Sequence, residues 1–153
     1  FKIIKGYYDN YKGSVTVGKV ESGKYNFENI LYVSGKEILF TGRIFDNLNL
    51  RKFDSRSIEI CELLEFINDY NMIVEEDGFN MSDGQKQRIV LARALSNFNV
   101  LIIDEGLSQV DVDMERRILK KLFRRYQSKT IIKTSVYGYK RNRKQRTKGV
   151  WLS

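Results

Sequence analysis

Met81-Ser-Asp-Gly-Gln-Lys-Gln-Arg88, followed by Val100-Leu-Ile-Ile-Asp-Glu105, is the stretch on which the fold turns. Ser82 and Gln85 have the spacing of a capping box. The Ser hydroxyl accepts from the third backbone N–H while Gln85 reaches back to the first, so a helix is expected from Ser82 to Asn97. Its Ile89, Ala92, Leu95 and their neighbours are apolar on more than one face, which predicts a largely buried helix. Val100–Ile103 is a short apolar run of the kind found in strands covered on both faces of a parallel sheet. It ends on two adjacent carboxylates, Asp104 and Glu105, and open α/β sheets bind their ligands at the carboxyl ends of such strands.

Outward from this centre, strands and helices alternate. Strands are expected at Ser14–Val17, Leu31–Ser34 and Thr130–Ile132. Arg56–Tyr70, with Ile60, Leu63, Leu64, Ile67 and Tyr70 at helical spacing, reads as one amphipathic helix. Val112–Tyr126 reads as another, with Arg and Lys on its outer face. Phe1–Tyr8 has the pattern of a helix end closed by Gly6, and Asn10–Gly13 that of a turn. Val74–Asn80 reads as a polar connection. The alternation predicts an α/β fold with a mainly parallel sheet.

At 153 residues, with 42% apolar and 30% charged side chains, the chain is that of one ordinary domain with a real core. No run reaches the eighteen or so apolar residues of a spanning helix. The charged start does not read as a secretory leader, and without a Met there the true start is expected elsewhere. Cys61 stands alone in an apolar-periodic segment, so a buried thiol and a reducing compartment are expected. With no His and one Cys, a zinc site or a His-based triad is excluded. The net charge of +8 is concentrated late in the chain: after Thr130 there is no acid, while Lys133, Lys140, Arg141, Arg143, Lys144, Arg146 and Lys148 are positive. Subtracting these seven leaves about +1 for the rest.

Three features bear on chemistry. Gly84, in the first turn of the capped helix, would let an anion approach first-turn N–H groups at the positive end of the helix dipole; a plain capping box explains Ser82 and Gln85 equally. Asp104 is suited to Mg²⁺, a hard ion that prefers oxygen ligands, and Glu105 to general-base work on water, although polar residues after a strand need no such role. Gly18-Lys-Val-Glu-Ser-Gly-Lys-Tyr25 comes within one residue of a phosphate-loop pattern. It has Tyr25 where a hydroxyl should meet Mg²⁺ and no helical pattern after it, so a surface β-turn is expected there.

In this order the features resemble the ATP-binding cassette (ABC) transporter ATPases, a P-loop NTPase-like family. Met81–Gln85 is similar to the family's signature motif, departing from it at Met81 and Asp83. Val100–Asp104 is similar to its Walker B strand, Glu105 to its catalytic glutamate, and Ser108-Gln-Val-Asp111 to its D-loop. Tyr32-Val-Ser34 with Leu39-Phe-Thr-Gly-Arg-Ile44 resembles the Q-loop region of exporter-type members, including bacteriocin and peptide exporters. The resemblance implies a partial ABC ATPase domain over residues 1–132, with a helical subdomain at about 43–98. It implies ATP and Mg²⁺ as cofactors, Asp104 at the metal, Glu105 as the catalytic base, and Ser82, Gly84, Gln85, Ser108 and Asp111 at nucleotide. It also implies a second ATPase domain and a transmembrane domain as partners, at the cytoplasmic face of a bacterial membrane.

Departures from the family accompany the match. The family's phosphate loop and adenine-stacking aromatic would lie before Phe1. Gly35 occupies the Q-loop glutamine position, Ser135 or Val136 stands about where the switch histidine belongs, and the stretch between Asn47 and Met81 is short. By family analogy Ser82 and Gly84 would face the ATP of a partner cassette, which leaves open a degenerate, non-catalytic fragment that only pairs with one. A non-transport ABC ATPase acting on nucleic acid rests on the basic tail alone, with Tyr137, Tyr139 and Trp151 available for stacking. Residues 133–153 are better read as a disordered extension, such as a shifted reading frame produces, and a nucleic-acid partner is not expected.

Overall fold

The computed structural model describes residues 3, 4, 8, 10, 12–14, 16, 17, 20, 21, 29–36, 38–48, 54–96, 98–134 and 149–152. Most of Phe1–Tyr8, where a helix end is expected, most of Gly18–Tyr25 and the stretch 135–148 therefore fall outside the described residues.

β1 (Thr16–Val17) and β2 (Val20–Glu21) form an antiparallel pair. The main sheet has β6 (Val100–Asp104) between β3 (Ile30–Ser34) and β7 (Thr130–Thr134), with β8 (Gly149–Leu152) beside β7. Every pairing in it is parallel, as the alternation of elements requires. Leu101, Ile102 and Ile103 of the central strand are fully buried. The strand order brings the ends of β3, β6 and β7 together, because Ser34 is level with Asp104 and Ile103 with Lys133.

Two findings depart from the reading of the C-terminal segment. β7 runs to Thr134, past the boundary expected at Ile132. Gly149–Leu152, inside the extension expected to be disordered, forms β8 through backbone pairing with Ile131–Thr134. Lys133, counted among the tail cations, is 8% exposed and pairs with Glu115 at 2.6 Å.

Helix α3 (Asp83–Ala94) is buried over most of its length, as its apolar faces predict, and packs on β3. α1 (Ile44–Leu48) and α2 (Arg56–Ile60) pack against it, and β4 (Gly42–Arg43) pairs antiparallel with β5 (Ile73–Val74). α4 (Val112–Arg125) buries Met114, Ile118, Leu119 and Leu122 in the same core and packs against α2. Its follower, Tyr126, donates to the Leu95 carbonyl at 3.2 Å, and burial pushes its hydroxyl pKa up to about 12.

The single helix expected over Arg56–Tyr70 is broken. α2 stops at Ile60, Glu62 adopts a left-handed φ of 55°, and Leu63–Glu65 makes a 3-10 turn. The reason is tertiary. At the break, the Glu62 carbonyl accepts from Arg88 Nη1 at 3.1 Å and its carboxylate meets Lys121 at 3.0 Å. Leu64 and Tyr70, expected on the apolar face, are consequently exposed, whereas Ile60, Leu63 and Ile67 remain buried. Cys61 is fully buried as expected, and burial raises its thiol pKa. Among the described residues no helix is long and apolar enough to cross a membrane.

Candidate functional site

The start of α3 is built as its sequence dictates. Gln85 N–H donates to Ser82 Oγ at 3.2 Å, and Ser82 N–H donates to Gln85 Oε1 at 2.9 Å, closing the capping box. Gly84 has a contact that the sequence did not reveal. A Cβ there would stand 2.7 Å from the carbonyl oxygen of Gln109, so the missing side chain lets the loop after β6 lie against the helix. That loop turns through Ser108, and Asp111 then caps α4 by accepting from Met114 N–H at 2.8 Å.

The acid pair is held differently. Asp104 ends β6, and both of its carboxylate oxygens accept hydroxyl protons: Oδ2 from Tyr32 at 2.6 Å and Oδ1 from Thr134 at 2.9 Å. Glu105 leaves the strand in a left-handed conformation with φ 57°, which is unfavourable for a residue with a Cβ. Its N–H donates to Thr134 Oγ1 at 3.1 Å and its carbonyl accepts from Ser108 N–H at 3.0 Å, while the side chain is exposed.

One buried side chain joins the two parts. Gln87, 6% exposed, accepts from Gln109 N–H at 2.9 Å through Oε1. Its Nε2 lies 3.3 Å from Ser108 Oγ, 3.4 Å from the Gly35 carbonyl and 3.5 Å from the Glu105 carbonyl, long contacts that share one amide. Gly35 donates its N–H to the Asp104 carbonyl, and a Cβ on it would stand 2.8 Å from the Glu105 carbonyl oxygen. The backbones touch there, which accounts for glycine at this position. An open cleft of about 540 Å³ runs between these segments, with Gly35, Lys36, Lys86, Gln87, Glu105 and Ser108 among its lining residues.

The structure thus brings Ser82, Gly84 and Gln85 to one end of α3, and Asp104, Glu105 and Ser108 to the facing end of β6. Asp111 is committed to its helix cap. Tyr32, Gln87 and Thr134 join the constellation without having been named as site residues from the sequence. For Thr134 the only available signal was a hydroxyl residue just past a predicted strand. Among the described residues no group of three or more His, Cys, Asp or Glu could hold a metal ion. Asp104 fits Mg²⁺ nonetheless, since each oxygen keeps a lone pair and this ion is commonly held by one or two carboxylates plus substrate phosphates.

A parallel sheet ending on two acids beside a capped helix defines an α/β protein, a class whose open sheets bind ligands at the carboxyl ends of their strands. Residues 1–108 match the family described as ABC transporter, and the chain belongs to that family. The lactococcin-G-processing and transport ATP-binding protein LagD of Lactococcus lactis is 34% identical over 148 residues, which cover 86% of this chain and 21% of that protein. The transport/processing ATP-binding protein ComA of Streptococcus pneumoniae is 33% identical over 137 residues, 79% of this chain and 19% of that protein. The chain therefore spans about a fifth of the length of these relatives. The structure of a bacterial Atm1-family ABC exporter with ATP bound shares the fold, with a TM-score of 0.78 at 24% identity over 86% of this chain and 26% of that one.

Proposed function

We propose that this chain is part of the ATP-hydrolysing domain of an ABC exporter that moves a peptide-like substrate across a bacterial membrane, working at the cytoplasmic face with a second ATPase domain and a transmembrane domain. The observation that carries this reading is the acid pair. Asp104 is fixed by two hydroxyl donors, and beside it Glu105 is held left-handed with an exposed carboxylate at the edge of the cleft. Asp104 would hold Mg²⁺, which when bound offsets phosphate charge. Glu105 would orient water and accept its proton, acting as a general base. Ser82, Gly84 and Gln85 would present α3's first-turn N–H groups and positive dipole end to the nucleotide of the partner domain. Ser108 would contact the same nucleotide from the loop, and Asp111 would fix that loop through its cap. The peptide-like substrate is supported by the printed names of LagD and ComA.

A non-catalytic role, pairing with a complete cassette, is favoured by one observation: Gly35 stands at the expected glutamine position, where a Cβ would meet the Glu105 carbonyl. ATP turnover by the chain mixed with an intact exporter-type cassette separates the two readings. The hydrolytic reading expects turnover that falls about 100-fold or more in Glu105→Gln, the scale of a general base. Unfolding should be unchanged, because this side chain is exposed. Turnover indifferent to Glu105→Gln sinks the hydrolytic reading and leaves the pairing role.

A further inference from the structure

A threonine hydroxyl has one proton to give and two lone pairs to offer. Thr134 uses both capacities on the acid pair: Oγ1 donates to Asp104 Oδ1 at 2.9 Å and accepts from Glu105 N–H at 3.1 Å. The two flanks of Glu105 are thereby fixed independently. On the carbonyl side the turn is closed by Ser108 N–H. On the amide side, rotation about N–Cα is opposed by the bond to Thr134. Releasing that bond lets φ leave the left-handed region, which a residue with a Cβ otherwise avoids.

We infer that Thr134 is a positioning residue for the reaction, its hydroxyl orienting the Asp104 carboxylate and holding Glu105 left-handed so that the Glu105 carboxyl leaves the backbone toward the cleft. The inference rests on the proposed role of this pair in ATP hydrolysis, but the conformation it predicts is measurable without nucleotide. Tyr32 differs in kind: its hydroxyl reaches Asp104 Oδ2, so Tyr32→Phe removes a donor from the carboxylate and leaves the Thr134–Glu105 bond in place.

The test is NMR of the isotope-labelled full chain, reading Glu105 φ from its HN–Hα coupling and Cα and Cβ shifts, and the bond from its amide exchange. The unmodified chain should show a left-handed Glu105 with a protected amide. Thr134→Ser should preserve both. Thr134→Val, nearly the same shape without the hydroxyl, should move φ to negative values and speed exchange by about tenfold or more. An unprotected Glu105 amide in the unmodified chain overturns the inference even if the Val variant does not fold, as does a folded Val variant with unchanged φ and protection. With an intact cassette supplying measurable turnover, Thr134→Val should lower kcat about tenfold at unchanged KM for ATP, and Thr134→Ser should restore it. Absent turnover in the unmodified chain defeats the hydrolytic reading while the conformer result stands. Turnover lost without a change in φ defeats the positioning role while hydrolysis stands.

Discussion

At the start of α3, the bonds that hold Ser82 and Gln85 span three residues of sequence. At the end of β6 a turn bond from Ser108 N–H to the Glu105 carbonyl is local too, but the hydroxyl bonds to the Asp104 carboxylate and the Glu105 N–H span 72, 30 and 29. The first arrangement can form as soon as one helical turn forms. The second exists only after β3, β6 and β7 are in register. The sides also differ in strain: Ser82 has an ordinary extended backbone, whereas Glu105 is left-handed. A locally closed cap can present N–H groups whatever the sheet does, while the acid pair has its geometry only in the assembled sheet.

The strongest challenge to this contrast comes from α3 itself, which carries a long-range anchor one turn beyond its cap. Arg88 Nη1 meets the Glu65 carboxylate at 2.7 Å and the Glu62 carbonyl at 3.1 Å, with the guanidinium 4.8 Å from the centre of the Phe66 ring. Arg88→Ala should lower unfolding free energy by about 3 kcal/mol in urea titration. That is the low end of the range for breaking a buried pair, because the half-exposed Glu65 can be re-solvated. A loss under about 1 kcal/mol would mean that α3 stands on its cap and apolar face alone.

Tyr32→Phe probes the acid side directly. The Tyr32 hydroxyl gives Asp104 a 2.6 Å bond to a charged acceptor, so its removal should cost about 1.5 kcal/mol by the same titration. The effect should reach Asp104 and its neighbours on β6 and β7 in amide shifts, and spare Ser82 and Gln85. Equal disturbance at both places would show the two regions to be one cooperative unit.

What the sequence disclosed follows the same division. The capping box was legible because both partners lie within one turn. The β6 strand and its acids were legible because an apolar run ending on carboxylates is a local pattern. The roles of Tyr32, Gln87 and Thr134 were not, since each acts on residues far along the chain, brought close by strand register for Tyr32 and Thr134 and by the packing of α3 for Gln87. The break at Glu62 was hidden for the same reason: helical periodicity continues through it, and Arg88 and Lys121 meet it only in three dimensions. Gly84 was legible as a glycine that permits close approach, but the approaching group in this structure is the Gln109 carbonyl of the same chain. Gly35 was visible only as a departure from the family. Its physical reason, a backbone contact with Glu105, requires β3 beside β6.

Ser82→Ala gives the smallest effect and the sharpest comparison. The change deletes the acceptor of the Gln85 N–H but leaves Gln85 Oε1 able to accept from the backbone N–H of residue 82, so half the box survives. Because Ser82 is exposed, the freed N–H finds water, and the loss should be about 1 kcal/mol, the usual worth of a cap. Hydrogen exchange should accelerate at Gln85 and its first-turn neighbours, with amides of Leu101–Ile103 changing only by the global loss. Faster exchange in β6 beyond that amount would show strain passing from the cap through Gly84 and the Gln109 carbonyl, or through Gln87, into the strand that carries the acids. In that case helix start and acid pair would be mechanically one, and occupancy of α3's first turn by a nucleotide would be felt at Glu105 within the same chain.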